Sequence, residues 1–417
     1  MNSYTRLTLI GFLLFMARGM TGPLSSLYWR SLGASYVAIG LLGTVTSITS
    51  IAFSYFWGRA SDRAGQRRLF LLGGLVGLAI SFGLLVGATN AALLFPIHAL
   101  SAVAQTAYGI ASLALMGDWL EHRERQRGGG GARSGAESGS GRRMGTYRGL
   151  SSLGFGLMAF ISGSIAEGLS LRVPYALATA FHVIALVLAL GVREAPPAEG
   201  DAGTRPGGSA TPIRNAGSSH QGSQLPLAPL LVSALIWSLV TGAVYAVWGN
   251  YMVDDIGYTP AQMTRIWALA SLSEFPLMIV AGWMSDRVGR LPMLAVGFVA
   301  WTLVFVGYLV APGMPFIVLI QLTRGFAYSA YTATSMIYAA EVRSRAERGR
   351  MSGIYGTAGA LGSILGSSLG GAITQYAGFR ALIGASAALV LAGAIYVGSV
   401  AIRRAATQSG STAASIQ

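Results

Sequence analysis

Cysteine and lysine are both absent from this 417-residue chain, and charge is scarce: 15 acidic residues, 4 histidines, and 11% charged residues in all. Without cysteine there is no disulfide framework and no thiolate metal site. The few acids lie mostly in polar gaps, so no nucleophile–base–acid set is visible, and no His or carboxylate cluster has metal-ligand spacing. The chain is therefore expected not to be an enzyme and to carry no cofactor. A soluble protein holds about twice this share of charge. The first apolar run lacks a small-residue cleavage site and is followed by more runs like it, so it reads as a first membrane helix and not as a removable signal.

What is present in abundance is apolar surface. Apolar residues make up 53% of the chain, and they cluster in stretches of about 20, the length a helix needs to cross about 30 Å of hydrocarbon. Twelve candidate spans fall at 7–29, 36–57, 69–88, 91–117, 145–168, 172–192, 227–252, 260–283, 291–310, 314–339, 352–375 and 379–402. In lipid each backbone group must be satisfied internally, so runs of this length read as helices and not as barrel strands. The expected fold class is an all-α membrane protein with 12 transmembrane helices.

The net charge of +14 comes from arginine alone. Of the 29 arginines, 23 fall in one alternating set of gaps, Arg30, Arg172, Arg265 and Arg380 in the other, and Arg18 and Arg324 inside spans. That asymmetry is the positive-inside pattern, and it places both termini in the cytoplasm of a multi-pass cell-membrane protein. It also accounts for the basic balance without a nucleic-acid partner.

The chain is built twice. GRASDRAGQRR at 58–68 recurs as GWMSDRVGRLP at 282–292: Gly58, Ser61, Asp62, Arg63 and Gly65 align with Gly282, Ser285, Asp286, Arg287 and Gly289 at an offset of 224. Further on, Tyr147, Leu153, Gly154 and Gly163 align with Tyr355, Leu361, Gly362 and Gly371 at an offset of 208. The Gly/Arg/Ser run at 127–143 can hold the 16 extra residues. Its GGGG follows no strand and carries no Lys-Ser/Thr, which argues against a phosphate-cradling loop. Residues 193–226 have the composition of a disordered cytoplasmic linker, leaving bundles at 1–192 and 227–402 and a tail at 403–417. Glycines at three- and four-residue spacing, Gly356 to Gly371, read as a close-packing helix face.

Twelve spans, a central linker and a G-x-x-x-D-R-x-G-x-R loop after span two, echoed after span eight, together resemble the major facilitator superfamily. That resemblance implies two pseudo-symmetric six-helix bundles around a cavity lined by spans one, four, seven and ten and opening alternately to either side. It makes the paired loops gating elements. Asp62 and Asp286 would cap a neighbouring helix, while Arg63, Arg67, Arg287 and Arg290 would pair with acids near the ends of spans four and ten, where Asp118, Glu121 and Glu341 stand. Span five lacks the proline of the family's antiport signature, and Gln105 stands near where its common span-four arginine would be.

Ionisable residues at membrane depth cost several kcal/mol and mark sites by default. Arg18 lies mid-span in span one, Glu274 in span eight and Arg324 in span ten. The SEFP and QLTRG segments around the last two resemble the proton-linked symporter branches near lactose and phenylpropionate permeases. An arginine in span ten stays protonated, so it can hold an anion or a carboxylate but cannot carry the proton. Desolvation favours a neutral carboxyl at Glu274 and a nearby arginine favours a charged one.

Helical spacing groups polar residues around these charges. Span ten presents Gln321, Arg324, Tyr328, Tyr331, Ser335 and Tyr338 on one face. Span four presents His98, Ser101, Gln105, Tyr108 and Ser112; span one Arg18, Thr21, Ser25 and Tyr28; span seven Trp237, Thr241, Tyr245 and Trp248. Glu274 and His98 are the proton-coupling candidates. Arg18, Ser25, Tyr28, Gln105, Tyr245, Trp248, Gln321, Arg324, Tyr328 and Tyr331 are the substrate-binding ones, and His182 reads as a packing residue.

The expected function is secondary transport of a small solute by alternating access, as proton-coupled symport of a small organic anion or sugar-like molecule, by a functional monomer in the lipid bilayer. Proton-antiport efflux of amphipathic drugs is the alternative within transport. A transport-inactive receptor or membrane-embedded enzyme is the alternative outside it.

Overall fold

The computed structural model describes residues 2–64, 66–126, 140–194, 225–310, 313–341 and 348–414. Gly65 and nearly all of the expected linker lie outside them, as do the side chains of Asp62, Glu121 and Glu341. Among the described residues the chain is helical, and each expected span falls on a helix. Span one is α1 (Ser3–Thr21) and α2 (Ser25–Ser31), spans two to four are α3 (Tyr36–Ala64), α4 (Arg67–Gly87) and α5 (Leu94–Gln126), and spans five and six are α6 (Ser140–Gly168) and α7 (Val173–Leu190). Spans seven to ten are α8 (Leu227–Asn250), α9 (Pro260–Val288), α10 (Arg290–Val310) and α11 (Met314–Glu341). The last two spans lie in α12 (Arg348–Ala414), broken where Gly378 takes φ 86° and ψ 170°, in the gap expected at 376–378.

Seven described helices are long and apolar enough to cross a membrane, or nine with each bent pair counted as one span. The remaining expected spans have physical reasons for falling short of that count. The apolar part of α6 is only Leu153–Gly168, α11 carries the polar stripe, and α12 holds two spans in one helix. The α1/α2 bend of 51° follows Pro23, and the 44° bend in α9 follows Pro276; each proline removes a backbone donor from the helix ladder. Beside the second bend the Ser329 hydroxyl donates to the Glu274 carbonyl at 3.0 Å.

The chain divides into two compact units: Met1–Gly33 with Val45–Gln221, and Ala34–Thr44 with Gly222–Gln417. In the first, Leu7, Ile10 and Leu14 of α1 share a core with Leu71, Leu75 and Leu78 of α4, Ala111 and Leu115 of α5, and Ala185 and Ala189 of α7. Gly74 lies so close to α5 that a Cβ there would stand 2.6 Å from the Tyr108 nitrogen. In the second unit α12 lies along α8 through its glycines: a Cβ on Gly362, Gly366 or Gly370 would meet the backbone of Leu235, Leu239 or Ala243 at 2.5, 2.0 or 2.5 Å. Helices without a hydrophobic driving force between them associate by such close approach.

The first turns of α3 belong to the second unit, because Gly40 sits against Ser367 and Gly371 of α12. There Thr44 Oγ1 lies 3.1 Å from Ser367 Oγ and donates to the Ile364 carbonyl at 3.2 Å. The Tyr36 amide donates to Gln375 Oε1 at 3.0 Å. Large apolar side chains such as Ile48, Ile51, Val187, Leu303, Ile395 and Ile402 remain exposed along the helices, as suits a lipid-facing surface.

The glycine face yields a test. Gly366→Ala should destabilise the second unit by about 1–3 kcal/mol, the usual cost of overpacking, seen as a lower melting temperature of the purified protein. Gly356→Ala, with open space at its Cβ, should melt like wild type; equal melting of both variants would remove the close-packing role.

Candidate functional site

The second unit gathers most of the membrane-depth polar residues of its half around Arg324. Arg324 of α11 is only 2% exposed, a costly position for a guanidinium unless something compensates it. Aromatic rings surround it. Its Cζ lies 4.7 Å from the centre of the Trp267 ring on α9 and 5.6 Å from that of Tyr245 on α8. Its Nη1 donates to the Tyr245 hydroxyl at 3.4 Å. Cation–π contacts of this kind contribute about 2 kcal/mol when desolvated. Trp267 in turn packs edge-on against Tyr245 at 5.3 Å and Trp248 at 4.9 Å.

Glu274 is half-buried on α9, within electrostatic range of Arg324 yet not ion-paired with it. The carboxyl and the guanidinium thus share a field without forming an ion pair. Gln321, one turn before Arg324, is fully buried. On the other side of Arg324, Tyr331 stacks on Trp237 at 4.6 Å and 11°, with Tyr328 at 6.0 Å from the same indole. The Tyr331 hydroxyl meets that of Tyr355 at 3.4 Å. Tyr245, Trp248, Gln321, Arg324, Tyr328 and Tyr331, all singled out by spacing alone, therefore lie on α8 and α11 of one unit.

Trp267, Trp301 and Tyr308 escaped the sequence reading. Trp267 stands seven residues before Glu274, and Tyr308 seven after Trp301, so both share a helix face with a neighbour of the cluster. Two-turn spacing was the available signal. It was weak because spans eight and nine carry no continuous polar stripe.

In the first unit the candidates are more dispersed. Arg18 is exposed, with its Cζ 5.7 Å from the Phe15 ring and Tyr108 within electrostatic range. Gln105 is half-buried one turn before Tyr108 on α5. His98 stands edge-on to Trp29 at 4.8 Å, and its Nε2 has no hydrogen-bond partner. Tyr28 and Ser25 are occupied locally. The Tyr28 hydroxyl donates to the Leu85 carbonyl at 2.6 Å and its ring lies 4.5 Å from Tyr175, while Ser25 donates to the Gly22 carbonyl at 2.8 Å. His182 is buried against Phe82, with Nδ1 2.6 Å from the Ala178 carbonyl.

The two motif loops differ. In the first, Arg67 at the start of α4 forms an ion pair with Asp118 near the end of α5, so this arginine does meet a span-four acid. Arg63 is exposed, and Gly58 has open space at its Cβ. In the second, Asp286 and Arg290 pair with each other at 2.6 Å, and Arg290 also donates to Ser285 Oγ at 3.1 Å. Between them lies Gly289, whose φ of 92° ends α9 ahead of α10. Arg287 lies over the Trp283 ring at 3.7 Å, and Gly282 has open space at its Cβ.

Comparison with known proteins agrees with this architecture. The sequence profile of the MFS_1 like family matches residues 4–383. A multidrug resistance protein B homolog of Mycobacterium tuberculosis (strain ATCC 25618 / H37Rv) is 28% identical over 197 residues, covering 45% of this chain and 35% of that protein. The chain thus aligns with about a third of that relative's length. Among solved structures, a mutant of the nucleoside transporter NupG superposes with a TM-score of 0.77 at 15% identity, covering 95% of this chain and 99% of that one. A bacterial homologue of the iron transporter ferroportin in an inward-facing state superposes at 0.70 and 13% identity, covering 95% and 98%. At such identities the likeness is one of fold.

The Arg67–Asp118 contact ties α4 to α5 and is testable by charge exchange. Asp118→Arg should lower the melting temperature, and adding Arg67→Asp should recover part of the loss. Because both side chains are partly solvated, the effect should be about 1 kcal/mol or less. A double variant no better than Asp118→Arg alone would deny the pair any stabilising role.

Proposed function

We propose, on the premise that the chain belongs to the MFS_1 like family, that it couples the movement of a small organic anion or sugar-like solute to a proton. Secondary transport across a membrane is the activity of this family's scaffold; the solute and the ion are the finer reading. Members share the scaffold while their sites differ, so that reading must come from the residues of this chain. The observation that carries it is the unpaired neighbourhood of Glu274 and Arg324 inside one unit. Arginine keeps its proton and can hold an anion in a fixed fork of donors, whereas a carboxyl can gain and lose one.

Those two facts suggest a cycle. With Glu274 neutral, the Arg324 charge is uncompensated and attracts the solute's negative or hydroxyl groups. When Glu274 releases its proton, its carboxylate competes with the solute for Arg324 and favours release. Rings such as Tyr245, Trp248, Tyr328 and Tyr331 would pack the body of the solute. His98, Arg18 and Gln105 in the first unit are the corresponding candidates there, His98 for the proton. The arginine distribution supports a cell-membrane location with both termini cytoplasmic and the motif loops on that side. The name of the mycobacterial relative keeps proton-antiport drug efflux as the second reading.

Glu274→Gln mimics the protonated carboxyl. In proteoliposomes it should abolish accumulation driven by a pH gradient while sparing solute exchange between equal concentrations. Gradient-driven uptake at the wild-type rate would show that the proton is carried elsewhere. Efflux against the gradient by wild type would favour the antiport reading.

A further inference from the structure

Each unit closes its expected outer end with a tyrosine, and the two tyrosines do the same thing. In the first unit the buried Tyr28 of α2 donates its hydroxyl to the Leu85 carbonyl at 2.6 Å. In the second the buried Tyr251, just past α8, donates to the Tyr308 carbonyl at 2.7 Å. Each acceptor lies 57 residues after its donor, in the last turn of α4 or of α10, and one tyrosine stands on the other at an offset of 223. Leu85 and Tyr308 lend only their backbone oxygens, so the likeness is invisible in their side chains. The last four carbonyls of a helix have no partner within it, and a hydroxyl from another span supplies one.

A third span backs each tyrosine. The Tyr28 ring lies 4.5 Å from Tyr175 in the first turn of α7, and the Tyr251 ring 5.7 Å from Phe379, the residue after the break at Gly378. An arginine of the same span completes both arrangements. Arg172, the residue before α7, faces the Tyr28 hydroxyl and donates from Nη2 to the Ala88 carbonyl, at the end of α4, at 3.2 Å. Arg380 lies within electrostatic range of Tyr251. These two arginines align at the offset of 208 already seen, and they are two of the four that fall outside the positive-inside pattern. The negative end of a helix dipole favours a cation, which gives Arg172 a reason to stand on the sparse side; Arg380 holds the equivalent place.

We infer that each unit carries an outer joint, made of Tyr28, the Leu85 carbonyl and Arg172 in the first and of Tyr251, the Tyr308 carbonyl and Arg380 in the second, which fixes the outer end of the unit's first span to its third and sixth. Both ends need fixing, because each lies at an irregularity. α2 follows a 51° bend, and Tyr251 opens a π-helical turn, Tyr251–Asp255. Without the joint such an end swings about its break; with it, span one or span seven moves as part of its own bundle. Tyr28 and Tyr251 are thus positioning residues for the two spans. The joints touch no solute and hold whatever its class or coupling ion.

Amide hydrogen exchange of the purified full chain, read by mass spectrometry, tests the joints segment by segment. Tyr28→Phe should speed exchange over residues 24–33 by about fivefold, the scale of one lost hydrogen bond, and leave residues 250–258 as in wild type. Tyr251→Phe should do the reverse. Arg172→Gln should loosen 24–33 and Arg380→Gln 250–258, each by less than the tyrosine variant of its own unit. Tyr175→Phe keeps its ring and removes a buried hydroxyl with no hydrogen-bond partner, so exchange over 24–33 should stay unchanged. Melting curves show whether each variant is folded, and either unit answers the question if a variant of the other does not fold. Wild-type exchange in a folded Tyr28→Phe or Tyr251→Phe, acceleration spread evenly over both units, or a Tyr175→Phe effect as large as that of Tyr28→Phe overturns the joints.

Discussion

A peptide group without a partner in hydrocarbon costs several kcal/mol, and every feature of this chain answers to that constraint. It makes each long apolar run a helix, since only a helix satisfies its backbone within one segment. It also sets where helices may break. Pro23 and Pro276 bend α1/α2 and α9, and at the second bend Ser329 supplies a hydroxyl to the Glu274 carbonyl. Once the backbones are closed, helices attract one another mainly by contact. The approach of Gly362, Gly366 and Gly370 to α8 is that attraction at its closest, where side chains are absent and backbones touch.

Against this background Arg324 is the expensive residue. A buried guanidinium can be tolerated through an ion pair, but here rings do that work and leave Glu274 unpaired. The difference matters physically. An ion pair would consume the donors of the arginine and the acceptors of the acid together, whereas the rings of Trp267 and Tyr245 compensate charge through their faces, with Nη1 on the Tyr245 hydroxyl.

The two copies of the loop motif illustrate how duplicated sequence diverges in structure. Asp62 and Asp286 occupy equivalent places, as do Gly65 and Gly289. In the first copy Arg67 meets the span-four acid Asp118; in the second, which has Leu291 in the place of Arg67, Arg290 pairs with Asp286.

Much of the architecture was legible in the residues. Length and hydropathy placed each expected run on a helix, because lipid allows few solutions for a run of 20 apolar residues, and the gap at 376–378 announced the break at Gly378. Period-3.6 spacing placed Gln321, Arg324, Tyr328 and Tyr331 on one face of α11. Spacing describes a helix by itself, however, and a site is made of several. Trp267, Trp301 and Tyr308 belong to helices with no polar stripe, so only packing could bring Trp267 to Arg324, Trp301 to Tyr245 and Tyr308 to Trp248. The sequence also could not tell that Tyr28 spends its hydroxyl on Leu85, or that the Arg324 and Glu274 side chains stop short of pairing. The chain by itself determined which residues could enter the membrane and in what conformation. Which neighbours compensate a charge once it is there depends on distances of a few ångströms between helices far apart in sequence, and only the tertiary structure decides those.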